Sequence, residues 1–216
     1  MTIPFFLTDL QIEVNKMNYH EIIDFWFEVL TPSQWLKADE ALDLKITEKY
    51  IALHASVSAG ELSYWRLEPW GRLAEIIVLD QFSRNIYRDD PKSFVSDPMA
   101  LALAQECIRG NYHKNFSAIH KQFLYMPFMH SESKIIHNTA LLLFSERGLE
   151  ESLDYELKHK EIIERFGRFP HRNEILGRQS STEEVQFLHE NGAIFENESN
   201  WQRVSVTKLN NTYSIH

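Results

Sequence analysis

The sequence predicts an all-α fold of seven to nine helices stacked as antiparallel hairpins. Three observations lead there. Glycine and proline are scarce, seven of each in 216 residues, which favours long regular elements over many short strands. Apolar residues recur at spacings of three and four along most of the chain. Start and stop signals cut that pattern into segments joined by short links, and short links favour antiparallel neighbours.

The first helix is expected to begin near Asn18, where Asn18 and Glu21 have capping-box spacing. Ile22, Ile23, Trp26, Phe27 and Leu30 mark one face, and Thr31-Pro32 stops the run. A second helix is expected over 39–59, with Leu42, Ile46, Tyr50, Leu53 and Val57 on a stripe and Gly60 at its end. A third covers 69–84, with Leu73, Ile76 and Ile77 facing inward. Asp97-Pro98 opens a fourth, since proline suits the first helical position, and Gly110 closes it. Residues 111–129 read as irregular, with Pro127 breaking any long helix. Over 131–147 the residues Ile135, Ile136, Thr139, Ala140 and Leu143 share a face. Helices follow over 149–166, closed by Gly167, and over 170–176. Ser181 and Glu184 form a capping box for a last helix ending at Gly192. These elements make one helical domain over 18–195, flanked by an N-terminal extension, 1–17, and an irregular tail, 196–216, with a strand-like stretch around Trp201. No sequence repeat of 20–50 residues recurs.

Composition narrows the function classes. A net charge of −9 argues against nucleic acid and anionic membrane as partners. One cysteine excludes an internal disulfide and a cysteine-only metal site. No apolar run approaches a membrane span, and residues 1–7 lack an export signal, so a cytoplasmic protein is expected. P-loop, HExxH, GxSxG and paired CxxC motifs are absent.

Four features could carry chemistry. Asp80 lies in the apolar run 76–82, and Arg84 stands four residues on. The pair reads as a core salt bridge or as part of a site. His130-Ser131-Glu132 opens a helix, where the dipole favours a carboxylate, so Glu132 is either a helix-start acid or a poised acid–base group. His159 shares a stripe with Tyr155, Ile162, Ile163 and Phe166 and reads first as a core histidine, while His137 reads as surface or packing. Residues 165–178 hold Arg165, Arg168, Arg172 and Arg178 against Glu174, a local +3 that leaves −12 on the rest. This stretch, with His171 and Asn173, is read as an anion site or as counter-charge for buried acids such as Asp80 and Glu132.

The blocks Asp24-Phe25-Trp26-Phe27, Gly71-Arg72-Leu73-Ala74, 79–85, Tyr125-Met126-Pro127, His130-Ser131-Glu132 and 166–173 resemble the bacterial domain of unknown function nine-two-four. The resemblance spans about 19–195 and implies a tetratricopeptide-like helical fold with no settled activity. Glu75 stands where an apolar residue is usual, and His137 where a glutamine is expected. Two functional readings remain open. One is a binding module for a small anionic molecule or an acidic peptide end, with Arg72, Asp80, Arg84, His130, Glu132, His159, Arg168, His171, Arg172, Asn173 and Arg178 as candidate ligand-binding residues. The other is an acid–base enzyme with Glu132 or Asp80 as base, His130 or His171 as acid and Arg168 or Arg172 as anion clamp. A minor version places a metal on His130, Glu132 and His159; otherwise neither metal nor cofactor is expected.

Overall fold

A computed structural model describes residues 18–36 and 38–197. The expected extension over 1–17, and 198–216 of the expected tail, lie outside the described residues. Every regular element among the described residues is helical.

α1 (Tyr19–Asp24) continues through a π turn, Phe25–Val29, and is followed by α2 (Pro32–Leu36) and α3 (Glu40–Ser58). A 3₁₀ turn, Ser63–Leu67, leads to α4 (Pro69–Ile77), which runs through a second π turn, Val78–Phe82, into α5 (Ser83–Ile86). A 3₁₀ turn, Pro91–Phe94, precedes α6 (Asp97–Arg109); then come α7 (Ala118–Met129), α8 (Lys134–Phe144) and α9 (Glu150–Phe166). The short turn Pro170–Arg172 connects to α10 (Thr182–Asn197).

The caps follow from side-chain chemistry. Asp39 accepts from the amides of Ala41 and Leu42 at the start of α3. Ser181 and Glu184 exchange reciprocal bonds at the start of α10. Gly167 ends α9 in the left-handed region, φ 70°. Asn18 does cap α1, but its side chain accepts from His20 rather than completing a box with Glu21.

Three local expectations are corrected. Residues 118–129 form a helix that continues through Pro127, which forgoes only the one amide bond to the Phe123 carbonyl and stands two residues from the end. The last helix runs past Gly192 to Asn197, because one glycine costs a helix only about 1 kcal/mol. On α8, Ile135 is 77% and Leu142 74% exposed, whereas His137, Ala140 and Phe144 are buried. The buried stripe of that helix therefore runs through His137, not through Ile135 and Thr139.

α4 is the hub. It packs against α1, α6 and α7, while the second π turn packs against α3 and α6. From α6 to α9 each helix packs on the next, α6 on α7, α7 on α8 and α8 on α9. The run 73–82 is apolar apart from Glu75, Asp80 and Gln81, and it is buried throughout. The two π turns meet through Phe25, Trp26 and Phe82, whose rings lie 5.7–6.1 Å apart. Glu75, an acid inside this core, is matched by Arg66, which donates to both its carboxylate oxygens at 2.6 and 2.7 Å.

Candidate functional site

Asp80 lies within the second π turn, a distortion that recurs at working sites. Ser83 supports the widened turn by donating to the Leu79 carbonyl, and His54 bonds the same hydroxyl at 2.8 Å. Asp80 accepts from Gln81 Nε2 at 2.6 Å and meets His130 Nδ1 at 2.7 Å. Both side chains are buried. Burial alone would raise the Asp80 carboxyl, but His130, Arg84 and Gln81 together hold it below its ordinary value. Burial pushes His130 the other way, below its ordinary value, and outweighs the pull of Asp80. At neutral pH the pair is therefore a carboxylate accepting Nδ1–H from a neutral imidazole, which makes Nε2 the basic nitrogen of the ring.

The i,i+4 salt bridge expected between Asp80 and Arg84 is loose, at 3.9 Å. Arg84 instead grips Asp97 at 2.7–2.8 Å and donates to the Ser93 carbonyl. Asp97 stands in the first turn of α6, where the helix dipole favours its charge. Arg172 approaches Asp97 at 3.7 Å and donates to the His130 carbonyl at 3.1 Å. Phe94 stacks against both guanidinium groups at 4.7 Å, and Phe169 lies 4.5 Å from that of Arg172. Burial lowers Arg172 to about 10, so it stays a cation.

A cleft of about 510 Å³ opens beside this network. Its walls are apolar: Pro91, Phe94, Val95, Pro98, Leu101, Pro127 and Leu176. Its polar end holds Asp97, His130, Ser131, Glu132 and Arg172. Glu132 receives the Arg178 fork at 2.6 and 2.9 Å and the Phe169 amide at 2.8 Å. Burial would raise it, but those bonds hold its carboxyl below the usual range.

The structure thus brings Asp80, Arg84, His130, Glu132, Arg172 and Arg178 into one network. Asn173 braces Arg178 by accepting from its Nε at 2.9 Å. His159 and His171 stand behind the cleft, their rings 5.6 and 5.4 Å from Phe169. Burial keeps both neutral, bringing His159 down to about 3 and His171 well below its ordinary value. Two candidates lie elsewhere. Arg72 stacks on Tyr112 at 3.9 Å. Arg168 forms a two-pronged pair with Glu184, which it holds at about 2. Of the four arginines in 165–178, Arg172 therefore lines the cleft, while Arg165, Arg168 and Arg178 pair with Glu183, Glu184 and Glu132. Among the described residues no three His, Cys, Asp or Glu side chains are placed to hold a metal ion, His130, Glu132 and His159 included.

Sequence reasoning passed over Gln81, Glu156 and the site role of Asp97. Glu156 had a usable signal, since Ser152, Glu156, His159 and Ile163 share the spacing of a buried stripe. His137, read as surface or packing, is fully buried and pairs with Glu156 at 2.8 Å.

A family model described as "Bacterial protein of unknown function (DUF924)" matches residues 22–192. A solved structure titled as the protein of unknown function ATU0120 from Agrobacterium tumefaciens is similar to this chain. The identity is 35% and the TM-score 0.76, over 80% of this chain and 97% of that one. No curated protein matches. No helix among the described residues is long and apolar enough to cross a membrane.

Proposed function

The chain belongs to the DUF924 family of bacterial proteins of unknown function, and we propose that it binds a small molecule in the cleft beside α6. The molecule has an apolar body lying along the proline, phenylalanine and leucine walls. Its polar head meets His130, Ser131 and Arg172. One observation carries this reading: the apolar walls converge on a polar end whose side chains are already held by partners behind them. Such a combination of apolar walls and a few fixed polar groups is what small-molecule sites share, and the volume lies within their range. Side chains held in advance lose little entropy when the molecule arrives.

The Asp80–His130 pair favours a second reading, in which the bound head gives up a proton to His130. An imidazole oriented by a buried carboxylate is a general base in waiting.

The test is a ligand-observed NMR screen of small apolar acids, amides and alcohols against the protein and a Leu101→Trp variant. Leu101 is a half-buried wall residue, so an indole there fills the cleft from its open side. Molecules that bind the parent and are lost from the filled variant support the proposal. Binding that survives the indole places the site elsewhere and rejects it.

A further inference from the structure

His137 and Glu156 form a second buried pair that neither reading above employs. Both side chains are 0% exposed. His137 Nε2 lies 2.8 Å from the Ser131 carbonyl oxygen, and Nδ1 lies 2.8 Å from Glu156 Oε1. A carbonyl oxygen only accepts, so Nε2 must carry a hydrogen. The contact at Nδ1 then contains a single proton, held either by the ring, as an imidazolium facing a carboxylate, or by the carboxyl, as an acid facing a neutral ring.

The surroundings decide between them. A buried ion pair is tolerable only when further hydrogen bonds satisfy the carboxylate. Glu156 Oε2 is buried and has no hydrogen-bond partner. Lys160, one turn along α9, is bonded to Glu164 at 2.5 Å instead. Phe169 presents its ring 6.2 Å from the imidazole, an apolar neighbour that offers an imidazolium no counter-charge. A neutral carboxyl leaves only a carbonyl-type oxygen unsatisfied, a much smaller penalty than a bare carboxylate oxygen. Burial also pushes the Glu156 carboxyl up, in the same sense.

We propose that Glu156 is a neutral carboxylic acid whose O–H donates to His137 Nδ1, and that it is a positioning residue for the cleft. By occupying Nδ1 it fixes the tautomer of His137, so that Nε2–H always points at Ser131. The segment 130–132 is then held at three successive residues: the His130 carbonyl by Arg172, the Ser131 carbonyl by His137, and the Glu132 carboxylate by Phe169 and Arg178. That segment supplies three lining residues of the cleft, including the imidazole that Asp80 orients. The positioning role rests on the proposed cleft function, whereas the protonation state does not.

The experiment is nitrogen-detected NMR of the histidine rings in the ligand-free protein at pH 7, with the variants Glu156→Gln and Glu156→Leu. The expected result is a neutral His137 ring protonated at Nε2, in the parent and in Glu156→Gln alike. An amide N–H can replace the acid O–H as donor to Nδ1, so the glutamine variant keeps its thermal midpoint within about 2 °C. In Glu156→Leu the donor is gone, and exchange of the His130 and Ser131 amides quickens on the order of tenfold, the change one lost buried hydrogen bond produces. A doubly protonated His137 ring in the parent overturns the proposal, because it makes Glu156 a carboxylate. Unaltered exchange in a folded Glu156→Leu overturns the positioning role alone. Should the leucine variant not fold, the ring spectra of the parent and Glu156→Gln still decide the protonation state. Faster amides in Glu156→Gln than in the parent, with the donor kept, would likewise decide against positioning by the acid. No arm uses a cleft ligand, so an empty screen above leaves this result intact.

Discussion

His159 offers a direct measure of how this core treats protons. Its ring is buried, donates Nδ1–H to the Tyr155 carbonyl at 2.8 Å, and is brought down to about 3 by burial. In the unfolded chain the same ring titrates at its ordinary value of about 6.5. Between those values the unfolded chain binds a proton that the native protein refuses, so stability falls as pH falls. The contribution is complete above about pH 6.5 and is lost progressively toward pH 3. From pH 7 to 5 one such histidine removes about 2 kcal/mol. The lowered carboxyls of Asp80, Glu132 and Glu184 act below this interval, since their unfolded values are ordinary carboxyl values. The assay is urea unfolding of the parent and His159→Leu at pH 7, 6 and 5. Leucine fills similar space and cannot charge. The stability gap between the two proteins should therefore shift by about 2 kcal/mol in favour of the variant over that interval. Equal pH slopes for both proteins would refute the reasoning and show that His159 charges in the native state.

Other substitutions probe the network. Asp80→Ala should destabilise by ~3–5 kcal/mol in chemical denaturation, because it orphans His130 and weakens the hold on Arg84 in a buried setting; a loss under about 1 kcal/mol would contradict that. Arg168→Gln should leave any phosphate-induced thermal shift unchanged, since Arg168 is committed to Glu184; a vanished shift would return the anion site to that arginine. Gly71→Ala should cost about 2 kcal/mol or more, because a Cβ there would stand 2.1 Å from the Trp65 carbonyl oxygen, and backbone cannot step aside. Gly167→Ala, by contrast, meets open space and pays only for its left-handed backbone, about 1 kcal/mol by the same denaturation measurement.

Much of the fold was legible because its signals are local. Asp39, Gly167 and the Ser181–Glu184 box act within one turn of the residues they cap, so spacing alone exposes them. The site was half legible for the same reason. Asp80 betrayed itself as an acid inside an apolar run, and Glu132 as an acid at a helix start. Their partners could not be read. His130 comes to Asp80 from fifty residues away, and Asp97 looked like a helix-start acid until Arg84 and Arg172 closed on it. The arginine-rich stretch left two readings open, because net charge says nothing about whether Glu183 and Glu184 fold back to meet it. Ile135 misled through hydropathy, because α8 turns its buried polar residue, His137, inward and leaves the isoleucine out.

The π turn at Val78–Phe82 stores the phase of everything after it. Each residue of a helix advances the chain by one step of rotation, with 3.6 steps to a turn. Were 78–82 wound as ordinary α-helix at unchanged length, α4 would stay seated in its core. The same rewinding would swing Ser83–Ile86 by about one residue's step, roughly 100°, around the helix axis. Arg84 would then leave Asp97, Asn85 would leave Asp43, and the Ser83 hydroxyl would leave His54. One residue of chain length, with no chemistry of its own, therefore acts as the angular setting that lets a single helix serve the core along one half and the polar cluster along the other.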